Sequence, residues 1–181
     1  MGDAVKRFLL LLLIIMTAPA LTVASPIGVG VSGGALVPVG QADQDVGSDV
    51  GIKLRLRLSH LFAVEPNLNF GKFGAITIDG VGSRDGSTIN HAGLDVTFGA
   101  PIASVGIKPY LLLGGGVYTA KRSGDETSNR SGWSFGGGLA LGILSYIDID
   151  LRGRFNIVTS EGSATRKSVG ITGGLTYYFG D

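Results

Sequence analysis

Cysteine is missing from all 181 residues, histidine occurs twice and tryptophan once. Without cysteine there is no disulfide framework, zinc–thiolate centre, iron–sulfur cluster or cysteine nucleophile. Charge is also scarce. Asp, Glu, Lys and Arg make up 16% of the chain, against about a quarter in an ordinary soluble domain. The formal net charge of +1 lacks the basic excess of a nucleic-acid binder, so no nucleic-acid partner is expected. Glycine, by contrast, is abundant at 31 of 181 residues, more than double the usual share of about 7%. The glycines keep no three-residue period, which excludes collagen. A hydrophobic content of 44% excludes a disordered chain.

Long apolar runs are absent too, with one short exception. Lys6 and Arg7 precede an uninterrupted apolar stretch from Phe8 to Met16, followed by Pro19, Ala20 and the small residues Thr22 to Ser25. A basic start, an apolar centre of about 7–15 residues and a small-residue exit describe a secretory signal peptide. A helix spanning a bilayer needs about 20 apolar residues, and this run is far shorter. Residues 1–25 are therefore expected to be a cleaved signal peptide, and 26–181 the mature domain. Losing Asp3, Lys6 and Arg7 leaves 13 of 15 basic and 13 of 14 acidic residues, a net charge of zero.

The mature chain alternates. Val50, Ile52, Leu54, Leu56 and Leu58 oppose Gly51, Lys53, Arg55 and Arg57. Ile147, Ile149, Leu151, Phe155 and Ile157 oppose Asp148, Asp150, Arg152, Arg154 and Asn156. From Lys167 to Phe179, Val169, Ile171, Leu175, Tyr177 and Phe179 oppose a small, polar set. A period of two puts each class on one face of a strand. On a helical period the charges would be scattered around the cylinder. Weaker alternation covers 27–37, 62–73, 89–98, 105–119 and 131–143, making eight segments in all. The connectors 38–48, 74–88, 120–130 and 159–166 are long and polar, whereas 59–61, 99–104 and 144–145 are short. Long and short connectors thus take turns, as the outer loops and periplasmic turns of outer-membrane barrels do.

These features predict an all-β fold: an eight-stranded antiparallel up-and-down transmembrane β-barrel. A soluble barrel would hide its apolar face in a lumen that holds one small ligand. The inverse choice turns the apolar face to lipid and the polar face inward, and three features favour it. Gly28, Gly30, Ser32 and Gly34, and likewise Gly132, Ser134, Gly136, Gly138, Ala140 and Gly142, form faces small enough for a narrow lumen to take long arginines. Phe62, Phe70, Phe98, Trp133, Phe135, Phe155, Tyr177 and Phe179 fall on outward positions, like the aromatic girdles of membrane barrels. Finally, the inward charges can pair, and buried charges must be paired. The expected lumen network is Lys53, Arg55, Arg57, Glu65, Asp95, Lys108, Asp148, Asp150, Arg152 and Arg154. Arg55, Arg57 and Lys108 meet the four acids in its lower part, while Lys53, Arg152 and Arg154 stand higher with few acidic partners.

The run Gly28-Val-Gly-Val-Ser-Gly-Gly-Ala-Leu-Val-Pro38, the glycine-rich strands and the terminal Gly174-Leu-Thr-Tyr-Tyr-Phe179 resemble the bacterial outer-membrane β-barrel domain family. That family includes OmpA/OmpX-type eight-stranded barrels and Opa-like adhesins. The resemblance covers the mature chain and implies residence in the bacterial outer membrane. It further implies insertion by the barrel-assembly machinery, guided by a terminal phenylalanine. Phe179 holds that position here, although Gly180 and Asp181 follow it.

Motifs for chemistry are weak. Gly28-Val-Gly30-Val-Ser-Gly33 spells G-x-G-x-x-G, but the dinucleotide fingerprint needs a strand before it and a helix after it. His91 begins an inward face, and only Ser87 or Ser131 could approach it through loop folding. No nucleophile–base pair of the kind acyl transfer requires is evident. No catalytic residue, metal ligand or cofactor is therefore expected, and the protein is not expected to be an enzyme. Lys121, Arg122 and Arg130 form an outer-loop basic patch that could hold lipopolysaccharide phosphates. The expected role is structural, in envelope integrity, or adhesin-like, with an unknown surface ligand on the long loops. The alternatives are a narrow porin-like channel for ions or small solutes and a lipid A-modifying barrel enzyme.

Overall fold

Alternation fixes which face each side chain takes, and pairing fixes which strands meet. In the computed structural model the described residues are 27–40, 44–78, 82–84, 86–99, 106–121, 128–159 and 165–179. The expected signal peptide, 1–25, lies outside them, as does Arg122. The strands are β1 (Ile27–Val39), β2 (Gly47–Arg57), β3 (Phe62–Lys72), β4 (Ile76–Ile78), β5 (Gly82–Arg84), β6 (Thr88–Gly99), β7 (Ile107–Lys121), β8 (Ser128–Leu144), β9 (Ile147–Val158) and β10 (Arg166–Phe179). Eight close into a barrel in the order β1-β10-β9-β8-β7-β6-β3-β2, and every adjacent pair is antiparallel. These eight are the eight alternating segments. The short strands β4 and β5 pair only with each other. They build a hairpin within the 74–88 connector, where three residues each are too few to show a period.

Closure joins β1 to β10 in continuous register from Ile27↔Phe179 to Val39↔Lys167. A closed sheet has no edge, so every strand satisfies its backbone groups without water, as lipid requires. Two irregularities have local causes. Pro66 has no N–H to give, and the β2–β3 ladder lapses between Lys53↔Asn67 and Leu56↔Val64. Between β8 and β9 the register shifts at Gly142/Leu144, just before the turn into β9. The longest strands, β7 with 15 residues and β8 with 17, exceed the roughly 9–11 that a tilted crossing needs. The expected 120–130 loop is therefore strand at both its ends, with Ala120 paired to Ser128.

The solvent logic is inverted. Leu111, Leu113 and Trp133 are 68%, 62% and 67% exposed, and aliphatic or aromatic side chains of all eight barrel strands join them on the outside. The buried set is largely polar, including Lys53, Arg55, Glu65, Asp95, Asp148, Asp150 and Arg152. A wall of this kind is stable only with hydrocarbon around it, and the lumen takes the charges.

Candidate functional site

The centre of the lumen is a pair of carboxylates. Glu65 on β3 and Asp95 on β6 are directly opposite in the ladder, and both are fully buried. Like charges in that relation destabilise a sheet unless cations hold them. Three guanidiniums from β2 and β9 do so. Arg55 pairs with Glu65 through its Nε, and Arg154 pairs with Asp95 through Nη2. Arg152 bridges both acids, with Nη2 2.6 Å from Glu65 Oε2 and Nη1 3.5 Å from Asp95 Oδ2. Arg55 and Glu65 face each other where Pro66 interrupts the β2–β3 ladder, so their side chains join the strands where the backbone pairing lapses.

Asp150 on β9 is the second node. It accepts from Lys53 at 2.9 Å and Arg55 at 3.2 Å, and lies 3.6 Å from Arg152. Tyr110 Oη donates to it at 2.6 Å and accepts from Arg152 Nε at 3.0 Å. Asp148 is the third node, nearer the short turns. Arg57 reaches its Oδ2 at 2.8 Å, Lys108 its Oδ1 at 3.4 Å, and Tyr178 Oη donates to Oδ2 at 2.7 Å. The Arg57 guanidinium also lies 3.8 Å from the centroid of the Tyr178 ring, a cation–π contact.

All ten residues of the expected network thus take part in ion pairs. The pairing differs from the sequence expectation. Lys53, Arg152 and Arg154, expected to have few acidic partners, each pair with an acid, because their long arms reach Asp150, Glu65 and Asp95. Tyr110 and Tyr178 are members that sequence reasoning missed. The signal was available, since both occupy inward positions of alternating strands.

Glycine is what lets these side chains fit. A Cβ on Gly114 would sit 2.0 Å from Asp95 Oδ1, and one on Gly138 would sit 2.5 Å from Tyr110 Oη. The glycine faces of β7 and β8 therefore seat the acid and the tyrosine directly, besides leaving room for arginines.

The plug lies between two cavities of the lumen. One, of about 50 Å³, includes Asp49, Asn67, Asn69, His91 and Asn156 in its lining and lies toward the long connectors. The other, of about 200 Å³, lies at the short-turn end with Arg57, His60 and Lys108 in its lining. His91 is buried and stacks on Tyr118 at 4.3 Å between centroids. Its Nδ1 lies 3.2 Å from Asn69 Nδ2 and 3.5 Å from Arg154 Nη1. Both neighbours are donors, so Nδ1 is the acceptor. Ser131, one of the serines considered as its partner, is exposed on the outward face of β8. Among the described residues no group of His, Asp and Glu is arranged to hold a metal ion.

Two residues of the outer basic patch, Lys121 and Arg130, are among the described residues. Lys121 is exposed at an outward position. Arg130 pairs in register with inward-facing Tyr118 and donates from Nε to Ser128 Oγ at 3.2 Å. The two therefore leave the sheet on opposite faces, and Arg122 is not among the described residues.

A family model described as the outer membrane protein beta-barrel domain matches residues 8–179. Among solved structures, Neisserial surface protein A is similar at a TM-score of 0.69 and 14% identity, over 84% of this chain and 97% of that one. A major outer membrane protein of Thermus thermophilus matches at a TM-score of 0.53 and 13% identity, over 87% of this chain and 100% of its own. The Yersinia pestis outer membrane protein Ail, in a phospholipid nanodisc, matches at 0.51 and 18%, over 86% and 99%. No curated protein sequence matches the chain.

Proposed function

Because the chain belongs to the outer membrane protein β-barrel domain family, we propose that it is a non-enzymatic barrel of the bacterial outer membrane, acting through its long loops in envelope integrity or surface contact. Residues 1–25 direct its export and are removed, and the barrel-assembly machinery inserts the mature chain. The plug carries this reading. Four acids and six cations from β2, β3, β6, β7 and β9 interlock across the lumen, between a cavity of about 50 Å³ and one of about 200 Å³. A hydrated ion could pass only by breaking buried pairs, and breaking such a pair by removing one partner costs about 3–5 kcal/mol. The barrel is then a rigid frame, and function falls to the loops it displays. His91, engaged with Asn69, Arg154 and Tyr118, supports a role in packing rather than as a general base.

Planar-bilayer recording of the refolded protein, paired with binding of intact cells to host or abiotic surfaces, tests the reading. Wild type should show no stable conductance steps. Exchanging the 74–88 and 120–130 connectors for short turns should lower surface binding and leave the barrel folded. Stable channels in wild type, together with unchanged binding after loop exchange, would replace this reading with the porin-like one.

A further inference from the structure

The two ends of the lumen differ in charge. The long connectors 38–48, 74–88, 120–130 and 159–166 carry seven acidic residues beside five basic ones, whereas the short connectors 59–61, 99–104 and 144–145 carry no acid and one titratable base, His60. The plug repeats this asymmetry. Toward the long connectors Lys53, Arg55, Arg152 and Arg154 face Glu65, Asp95 and Asp150, and Asp49 lines the same cavity as Lys53 and Arg154. Four cations meet four acids there. At the short-turn end Arg57 and Lys108 share the single carboxylate of Asp148. The surplus cation of the lumen therefore sits at that mouth.

The cavity of about 200 Å³ lies beside these two cations, with Ser59 and His60 also in its lining. Among the described residues Asp148 is the one acid that lines it, and its oxygens are taken. Oδ2 accepts from Arg57 Nη2 at 2.8 Å and from Tyr178 Oη at 2.7 Å, and Oδ1 accepts from Lys108 Nζ at 3.4 Å. The cations are not used up in return. A guanidinium has five N–H donors and an ammonium three; among the described residues Arg57 and Lys108 each spend one, on Asp148. The Tyr178 ring, 3.8 Å from the Arg57 guanidinium, holds that group in place. Ser59 Oγ accepts from the backbone N–H groups of Leu61 at 3.2 Å and Phe62 at 3.1 Å, so its own proton is left to donate. His60 adds a ring N–H in either tautomer. Donors with surplus positive charge thus surround a space far larger than the roughly 10–15 Å³ that one water needs. That is the chemistry of an oxyanion seat: the arginine fork matches two phosphate oxygens, and lysine adds a point charge.

We propose that Arg57, Ser59, His60 and Lys108 seat a phosphate group at the short-turn mouth of the lumen, carried by a small phosphorylated solute or by a phospholipid headgroup of the adjacent leaflet. The seat follows from the mouth itself and holds in either orientation of the barrel. That it faces the periplasm rests on the outer-membrane reading above.

The test uses the protein refolded in a maltoside detergent at constant ionic strength. Inorganic phosphate, glycerol 3-phosphate or chloride is titrated in, and the amide NMR signals of Ser59 and His60 are followed. Wild type should saturate with both phosphates and not with chloride. Lys108→Gln and Arg57→Gln should each bind at least fivefold more weakly. The charge-keeping Lys108→Arg, and Lys167→Gln on the outer wall, should stay within twofold of wild type. Each variant is first checked for the compact gel form, and Lys108→Gln decides alone if Arg57→Gln does not fold. Shifts that fail to saturate, or Lys108→Gln binding as tightly as Lys167→Gln, would overturn the proposal. So would saturation seen only with Asp181→Asn, which would make that acid, two residues beyond Phe179 in sequence, the occupant. Nanodiscs separate the two sources. If phosphatidylglycerol weakens phosphate binding at least fivefold relative to phosphatidylcholine in wild type but not in Lys108→Gln, the headgroup is the ligand; equal binding in the two lipids assigns the solute. Labelling of Ser145→Cys on intact cells checks the orientation separately. A labelled turn refutes the outer-membrane orientation, whereas an unlabelled turn with undiminished phosphate binding by Lys108→Gln refutes the phosphate seat alone.

Discussion

Arg152→Met should be the most damaging loss of a single cation from the lumen. The Arg152 guanidinium lies 2.6 Å from Glu65, 3.5 Å from Asp95 and 3.6 Å from Asp150, and its Nε donates to Tyr110 at 3.0 Å. Methionine keeps much of the volume and removes the charge between two buried, directly opposed carboxylates. Breaking a buried pair by deleting one partner costs about 3–5 kcal/mol. Glu65 keeps Arg55 and Asp95 keeps Arg154, which places the loss near the lower end, about 3 kcal/mol. With a urea slope of about 2 kcal/mol per molar, the unfolding midpoint should fall by about 1.5 M. The assay is urea unfolding of the barrel refolded in lipid vesicles, followed by the gel shift between folded and boiled protein and by fluorescence of Trp133. A double-mutant cycle isolates the interaction: adding Glu65→Gln to Arg152→Met should recover about 0.5–3 kcal/mol relative to additivity. Lys108→Gln is the control. Its side chain is 36% exposed and its ammonium 3.4 Å from Asp148, so its loss should cost less than about 1 kcal/mol. If Arg152→Met costs no more than Lys108→Gln, or if the cycle shows no coupling, the lumen network is not what holds the barrel.

Further outcomes follow from the same geometry. Gly114→Val should prevent the compact gel form, because even a Cβ would sit 2.0 Å from Asp95 Oδ1. Gly173→Ala, where a Cβ meets nothing within 4 Å, should be neutral or stabilise by about 0.5–1 kcal/mol through reduced backbone entropy in the unfolded chain. Trp133 emission should be quenched by brominated acyl chains in reconstituted vesicles, and insensitivity to bromine would contradict its outward position. Raising sodium chloride from about 0.1 to about 1 M should shift the urea midpoint of wild type little, since buried pairs are poorly screened; a large loss at high salt would mean that water reaches the plug.

Much of this architecture was legible because alternation is a local property. The segment Ile147 to Ile157 declares its two faces without reference to any other strand, and so does Val50 to Leu58. Charge distribution added which face points inward. The β4–β5 hairpin was not legible, since three-residue strands carry too little pattern. The partners of Lys53, Arg152 and Arg154 were not legible either. Their pairing depends on how far a long side chain reaches across a closed lumen, and that distance exists only after β1 meets β10.

The sequence by itself pointed to the solvent of this protein: strands that oppose leucine to arginine fit a soluble or an inverted barrel, and the glycine faces, outward aromatics and pairable inward charges favoured hydrocarbon outside and ions inside. The tertiary structure alone decided which ions meet. Glu65 and Asp95 become neighbours through the β3–β6 pairing that brackets a hairpin, and Arg152 reaches both because closing the barrel brings β9 across from them. Chain separation hides such contacts, since the residues of a pair such as Arg152 and Glu65 are 87 positions apart. Closure and strand register bring them within hydrogen-bonding distance.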